Sequence, residues 1–231
     1  MIFMYSIAID GPSSSGKSSV ADELARRLNI LHLNTGELYR AIGYYAYING
    51  VASTVDEEGI PQLSDWETSK LIKDVIVDVK FINHRQHTYV NGEDVTDYLH
   101  TPIISDYSSR VSAIPKVRDH VLELQRSIAR NQNVVMEGRD ITSHVLPKSK
   151  YKFFITASAE VRAQRRFEEE TNKGIKTSYK EVLEDIKLRD KRDTTRKVCP
   201  LVITNDSVVV DTTDLTLDEV VDKVMSYIKE E

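Results

Sequence analysis

The chain has 231 residues, of which 40% are hydrophobic and 29% charged, with a formal net charge of −5. That balance is the composition of a soluble globular chain, and it argues against bulk attraction to nucleic acid or to an anionic membrane. No apolar run approaches the ~20 residues that span a bilayer, and Met1-Ile2-Phe3-Met4 lacks the basic start of a secretion signal. The single cysteine, Cys199, excludes an internal disulfide and a thiolate metal site, and points to the reducing cytoplasm.

In chain order, Tyr5–Ile9 reads as a strand and Gly16–Leu28 as a helix. Between them stands Gly11-Pro12-Ser13-Ser14-Ser15-Gly16-Lys17-Ser18, a full G-x-x-x-x-G-K-S loop with strand before and helix after. Glycines at its ends let backbone N–H groups curl around phosphate oxygens. Lys17 can reach the β- and γ-phosphates, and the Ser18 hydroxyl can sit on Mg²⁺. The helix that follows points its positive end at the same anion. Gly11 through Ser19 (Gly11, Pro12, Ser13, Ser14, Ser15, Gly16, Lys17, Ser18, Ser19) are therefore the candidate triphosphate-binding residues.

Ile30–Leu33 reads as a second strand, followed by a helix whose Leu38, Ile42, Tyr45 and Ala46 share a face. Val75–Ile82 and His87–Val90 are β-branched strands, Asn91-Gly92 is a turn, and Val95-Thr96 a short extended piece. Residues 101–131 turn helical again, with Pro115 in a first turn and Val117, Val121, Leu124 and Ile128 as a stripe. Val134–Met136 is a buried-type strand ending in Glu137-Gly138-Arg139-Asp140, and Tyr151–Thr156 is another. Helices over Ala159–Asn172 and Ser178–Arg189 are separated by Gly174, suited to a left-handed cap. Ser207–Val210 is the last strand, and Thr216–Lys229 closes with Leu217, Val220, Val221, Val224 and Ile228 on one face. Strands alternating with helices argue for an α/β fold with a parallel sheet flanked by helices, and the 75–96 hairpins for an inserted antiparallel subdomain.

Phosphoryl transfer needs cations converging on the transferring group. Arg40 and Arg139 follow predicted strands, where ligands of open α/β sheets sit. If helical, Arg189, Asp193 and Arg196 share one face, two cations with a carboxylate between. Alone, that segment reads as a solvated helix surface, as does the group Arg162, Arg165 and Arg166. His84 and His87 have H-x-x-H spacing without a carboxylate or cysteine partner set, so hairpin surface is the better reading than zinc. Cys199 reads as buried, and Trp66 and the eleven tyrosines mostly as packing.

The order of these segments resembles the bacterial cytidylate kinases, within the P-loop nucleoside monophosphate kinases. The resemblance rests on the 9–18 loop, Leu33–Arg40, Asn91–Thr96, Ser109–Arg118, Glu137–Asp140 and Arg189–Asp193, and covers essentially the whole chain. It implies a kinase core (residues 1–36, 115–159 and 179–231), a β-rich monophosphate-binding insert (37–114) and a small helical lid (160–178). The implied reaction moves the γ-phosphate of ATP to CMP or dCMP, with Mg²⁺. Carried over residue by residue, Asp140 and Ser109 read the cytosine amino group, Arg118 its acceptor edge, and Thr35 lies beside the base. Uracil would set its O4 acceptor against Asp140, a buried mismatch that is strongly disfavoured. Arg40, Arg139 and Arg196 clamp the acceptor phosphate, Arg189 and Asp193 hold the ribose, and Lys17, Arg139, Arg189 and Arg196 take up transition-state charge. Arg162 and Arg166 of the lid approach the triphosphate.

Three departures stand out: Asn34 where the family usually has Asp, Glu37 where it has a small residue, and Ile141-Thr142-Ser143-His144 where it continues Ile-Gly-Thr. The last implies an altered backbone near the acceptor phosphate. The rivals are a kinase for UMP, AMP or a non-nucleotide acceptor, and a non-catalytic nucleotide-binding module. A GTPase switch would need N-K-x-D, but Asn172-Lys173 is followed by Gly174-Ile175, and Asp56-Glu57-Glu58-Gly59 follows no strand. A transport ATPase signature is absent. Nothing in the sequence argues for a dimer, so a monomer is expected.

Overall fold

The computed structural model describes residues 5–56, 61–83 and 85–228. The elements run β1 (Ser6–Asp10), α1 (Lys17–Leu28), β2 (Leu31–Asn34), α2 (Thr35–Ile48), α3 (Asp65–Asp74), β3 (Val77–Ile82), β4 (Arg85–Val90), β5 (Glu93–Asp94), α4 (Pro102–Val111) and α5 (Pro115–Asn131), then β6 (Val134–Gly138), β7 (Tyr151–Thr156), α6 (Ala159–Asn172), α7 (Tyr179–Thr195), β8 (Val208–Asp211) and α8 (Leu217–Met225). They form two compact units, one of residues up to Ile30 together with those from Asn133 on, the other of Leu31–Gln132.

In the first unit the strands β6-β1-β7-β8 lie side by side and all run parallel. β1, β6 and β7 are short, apolar and buried on both faces in their centres, as a helix-covered parallel sheet requires, while β8 at the edge buries Val210 and leaves Val209 exposed. Val20, Ala21 and Leu24 of α1 pack with Ile7, Ile9, Val135, Phe153 and Ile155 of the sheet and with Val220, Val221 and Val224 of α8. Helix α8 ends at Met225, before the expected Lys229, which lies outside the described residues. Leu217 is 45% exposed, not on the buried face. It is the first helical residue beside the Thr216–Glu219 capping box, where the chain is still turning in from solvent. Helix α7 runs six residues past the expected Arg189. α6 and α7 pack on Ala163, Val182 and Ile186, and Gly174 between them takes φ +74°.

In the second unit β3-β4-β5 form an antiparallel sheet. Asn91 (φ +51°) and Gly92 (φ +87°) make a two-residue turn, so pairing resumes at once with Val90 opposite Glu93. The short strand is therefore Glu93–Asp94, not Val95-Thr96. Thr96 leaves the sheet because its N–H and hydroxyl both donate to the Asp94 carboxylate. A helix the sequence reading did not place, α3, begins at a capping box between Ser64 and Glu67. Trp66 on it is 69% exposed, contrary to a packing role, with Lys70 over its ring. α2 and α4 touch at Gly43, where a Cβ would lie 2.8 Å from the Ser108 backbone nitrogen.

Candidate active site

The register of β1 against β6 pairs Asp10 with Gly138, so Gly11 and Arg139 leave the sheet side by side. Gly11 has φ +152°, and a Cβ there would lie 1.9 Å from the Ile155 carbonyl oxygen, which only glycine avoids. The loop then closes into α1, which starts at Lys17 with no side-chain cap and no acidic residue in its first turn. Its N–H groups and the positive end of the helix are thus left to an anion. Ser18 and Ser19 are exposed at this end.

Lys17 is buried and donates to the Pro12 carbonyl at 2.7 Å. Burial lowers its pKa to about 7. Arg139 and Arg189 add repulsion, while Glu137 and Asp10 oppose the shift. Such an ammonium gains from a phosphate that restores its charge.

Beyond β6, Arg139 donates through Nε to Asp193 at 2.9 Å and through Nη1 to the Gly138 carbonyl. Arg196 caps the end of α7. Its guanidinium lies 3.8 Å from Asp140 and 4.0 Å from Asp193, and its Nε donates to the Cys199 carbonyl. Burial raises the Asp193 carboxyl, but Arg139, Arg189 and Arg196 outweigh it and hold the pKa below its ordinary value. The segment from Arg189 to Arg196 is therefore not a solvated face: Asp193 is buried and gathers three guanidiniums. Asp140 is buried beside them.

Arg162 is also no solvated residue. Its Nε donates to the Ala157 carbonyl, its Nη1 to the Ser13 carbonyl at 3.2 Å, and two nitrogens pair with Asp190 at 3.1 and 2.7 Å. It ties the phosphate loop at Ser13 to α6 and α7. Arg165 reaches the loop indirectly, donating to Thr212, whose hydroxyl donates to the Ser15 carbonyl. Arg166 pairs with Glu170 on its own helix.

The remaining candidates stand in the second unit. Thr35 is buried at the start of α2. Arg40 donates through Nη1 to the Leu99 carbonyl (2.9 Å) and the Ser105 hydroxyl (2.7 Å). Arg118 is buried on α5, donates to the Ser112 carbonyl and lies over the Tyr39 ring, while Ser109 is half-buried on α4. Asn34 caps α2 by accepting from the Gly36 N–H at 3.0 Å, a task Asp would also perform. Gln86 of β4 brackets Asn34, accepting from its N–H and donating to its carbonyl. Glu37 is buried, accepts from the Thr88 hydroxyl and lies 3.4 Å from His100.

Sequence reasoning missed the contact beneath the loop. The Asp10 carboxylate accepts from the N–H groups of Ile141 (2.9 Å) and Thr142 (2.7 Å) and from the Thr142 hydroxyl (2.7 Å). The altered Ile141–Val145 stretch is a π-helical turn, in which the Leu146 N–H reaches the Ile141 carbonyl. Its one signal was a charged residue ending an apolar strand. His87 does have a carboxylate partner, Asp94 at 2.8 Å across the β4–β5 pair. His84, and 57–59 of the D-x-x-G segment, lie outside the described residues. Cys199 is half-buried.

A family model described as cytidylate kinase matches residues 7–230. A cytidylate kinase from Caldanaerobacter subterraneus subsp. tengcongensis is 44% identical over 96% of this chain and 94% of its own. One from Clostridium botulinum (strain Loch Maree) is 42% identical over 97% of each. In overall fold the chain is similar to a crystal structure of an uncharacterized protein from Eubacterium ventriosum, at TM-score 0.53 and 15% identity over 99% of this chain and all of that one.

Proposed function

Since this chain belongs to the cytidylate kinase family, we infer that it transfers the γ-phosphate of ATP to CMP or dCMP, giving ADP and CDP or dCDP. The observation that carries this reading is the β1–β6 register, which sets the Lys17 loop beside Arg139 and its Asp193–Arg196 cluster. A donor cradle and an acceptor clamp on neighbouring strand ends suit in-line transfer.

The loop Gly11–Ser19 cradles the triphosphate, and Lys17 follows the charge as it moves to the bridging oxygen. Arg139 and Arg196, with Arg40, take the acceptor phosphate, and Arg189 and Asp193 the ribose. The buried Asp140 accepts from the cytosine amino group with Ser109, Arg118 donates to the acceptor edge, and Thr35 lines the base. No general base is needed, since the acceptor phosphate is largely a dianion at neutral pH, its second pKa being about 6. Positioning and charge stabilisation do the rest. Functionally, the core is residues 1–36, 115–159 and 179–231, the monophosphate insert 37–114 and the lid 160–178. Closure of the lid keeps water from the γ-phosphate, while Arg162 steadies the loop from the Ser13 side.

Among the described residues no group of three His, Cys, Asp or Glu could hold a metal, and Asp10 is committed to Thr142. A Mg²⁺ arriving with ATP would be held on the protein side by the Ser18 hydroxyl and would supply neutralisation of phosphate charge. The net charge of −5 and the single cysteine support a cytoplasmic enzyme without nucleic-acid or membrane partners, and a monomer is the working state. Among the described residues no helix is long and apolar enough to cross a membrane.

The test is ADP formation from ATP and Mg²⁺ with CMP, dCMP, UMP, AMP or no acceptor in parallel. The reading expects ADP to be formed fastest with CMP or dCMP. Preference for UMP or AMP overturns the base assignment, and acceptor-independent hydrolysis overturns the kinase.

A further inference from the structure

We propose that Thr142 is a positioning residue for transfer, acting through Asp10 to lock the phosphate loop and the Arg139-Asp140 segment to one another. The proposal rests on the kinase reading above. Asp10 is the last residue of β1 and immediately precedes Gly11. Thr142 follows Arg139-Asp140 by two residues. Both side chains are buried, and three donors from 141 and 142 converge on the one carboxylate. Two of these donors are backbone groups, but the third is the Thr142 hydroxyl, and it shares Oδ2 with its own N–H.

Strand pairing alone fixes the two segments only up to Asp10 and Gly138, where the ladder ends. Beyond that point the chains diverge, one to the phosphate loop and one to the π-helical turn. The Asp10 carboxylate is the tie across this divergence. Its geometry fixes both the exit direction of Gly11 and the placement of Asp140, whose carbonyl accepts from the His144 and Val145 N–H groups to close the turn. The turn's amides hold the carboxylate along two directions. The hydroxyl adds the third, so rotation of the carboxylate within the pocket is blocked. In-line transfer depends on the separation of donor and acceptor, and a misplacement of about 1 Å can cost ~10²-fold in rate. Thr142 spends its hydroxyl on Asp10 and acts through it. Its contribution lies in the rate of transfer and not in binding either nucleotide.

The test compares wild type with T142V, which keeps shape and backbone but deletes the hydroxyl, and T142S, which restores it. Should T142V fail to fold, T142A takes its place. T142V is expected to lower kcat with CMP about tenfold, with KM for ATP and for CMP within about threefold, and T142S to recover most of the loss. In the free protein, amide hydrogen exchange is expected to speed up in T142V over both 11–15 and 139–145, and to return with T142S. A kcat within about twofold of wild type, a T142S as slow as T142V, or unchanged exchange in both segments overturns the proposal. A wild type that uses no nucleoside monophosphate overturns the kinase reading instead, and the exchange comparison still decides whether the clamp exists.

Discussion

The floor of the phosphate loop and the end of α7 each bury a carboxylate, and they hold it by opposite means. Asp10 is given only neutral donors, two amides and a hydroxyl. Burial wins over those hydrogen bonds, Asp140 adds repulsion, and the Asp10 pKa lies above its ordinary value. Asp193 is also buried, but Arg139, Arg189 and Arg196 surround it and its pKa lies below. Burial is common to both; the partners set the sign. The first arrangement is a brace. The second keeps three guanidiniums together before any phosphate arrives.

Lys17 senses both regions, with Asp10 and Glu137 opposing the repulsion from Arg139 and Arg189. The largest effect is expected on removing it. Lys17→Ala should lower turnover ~10²-fold or more, as loss of a transition-state donor does, while far-UV circular dichroism stays close to wild type. Near-normal turnover would show that charge at the α7 end suffices alone. Next comes Asp140→Ala, which removes the carboxylate that lies 3.8 Å from Arg196 and raises the Asp10 pKa. The ratio of kcat/KM for CMP over UMP should fall ~10-fold or more, since a buried acceptor no longer opposes O4 of uracil, while the affinity for ATP changes little. An unchanged ratio sinks the base-reader role.

The loop was legible because its chemistry is local: eight consecutive residues carry it, with strand before and helix after. The arginines were legible as candidates but not as a cluster. Arg139 and Asp193 are 54 positions apart, and only the fold makes their 2.9 Å contact. The Asp10–Thr142 tie spans 132 positions and had no motif to announce it. Helix α3 is a different case, since Ser64-Asp65-Trp66-Glu67 carries the capping-box spacing in plain sight. Its polar surroundings and exposed Trp66 hid the apolar stripe that a helix reading looks for, leaving only Thr68 and Leu71 buried. Leu217 shows the converse: it fits the stripe of α8 by spacing, yet sits in the first turn, where the face has not met the core.

Asparagine at each carboxylate sharpens the comparison. The Asp193 pKa lies below its ordinary 3.8, so its favourable contribution is present above that value and is lost as pH falls toward the folded-state pKa. The Asp10 pKa lies above 3.8, so the folded state binds more proton than the unfolded one just above that value, and its unfavourable contribution grows as pH rises. The melting temperature of Asp193→Asn relative to wild type should therefore fall further behind as pH rises up to and through 3.8 and then level off, whereas that of Asp10→Asn should catch up as pH rises above 3.8. Parallel slopes for the two variants would remove the distinction between them.

The smallest effect is a proton count, and it joins the two regions. With a pKa of about 7, Lys17 is largely neutral at pH 8 in the free protein. Its burial opposes folding most at low pH, where the charge must be kept, and that opposition fades as pH rises through 7 toward the ordinary 10.5. Phosphate oxygens in the loop reverse the balance and favour the ammonium, while the nucleotide phosphates, with a second pKa of about 6, are already ionised at pH 8. Binding of ADP or ATP should then take up a sizeable fraction of one proton at pH 8 and much less at pH 6.5 through this group. Titration calorimetry in buffers of different ionisation enthalpy reads the number directly. Asp10→Asn removes one of the two charges that support the ammonium, so its uptake at pH 7 should exceed that of wild type. The Asp193→Asn variant acts on Lys17 only through Arg139 and Arg189, and should change the count less. Binding without proton uptake at pH 8 would mean that Lys17 is already charged in the free protein, held so by a carboxylate field stronger than the repulsion from the α7 arginines.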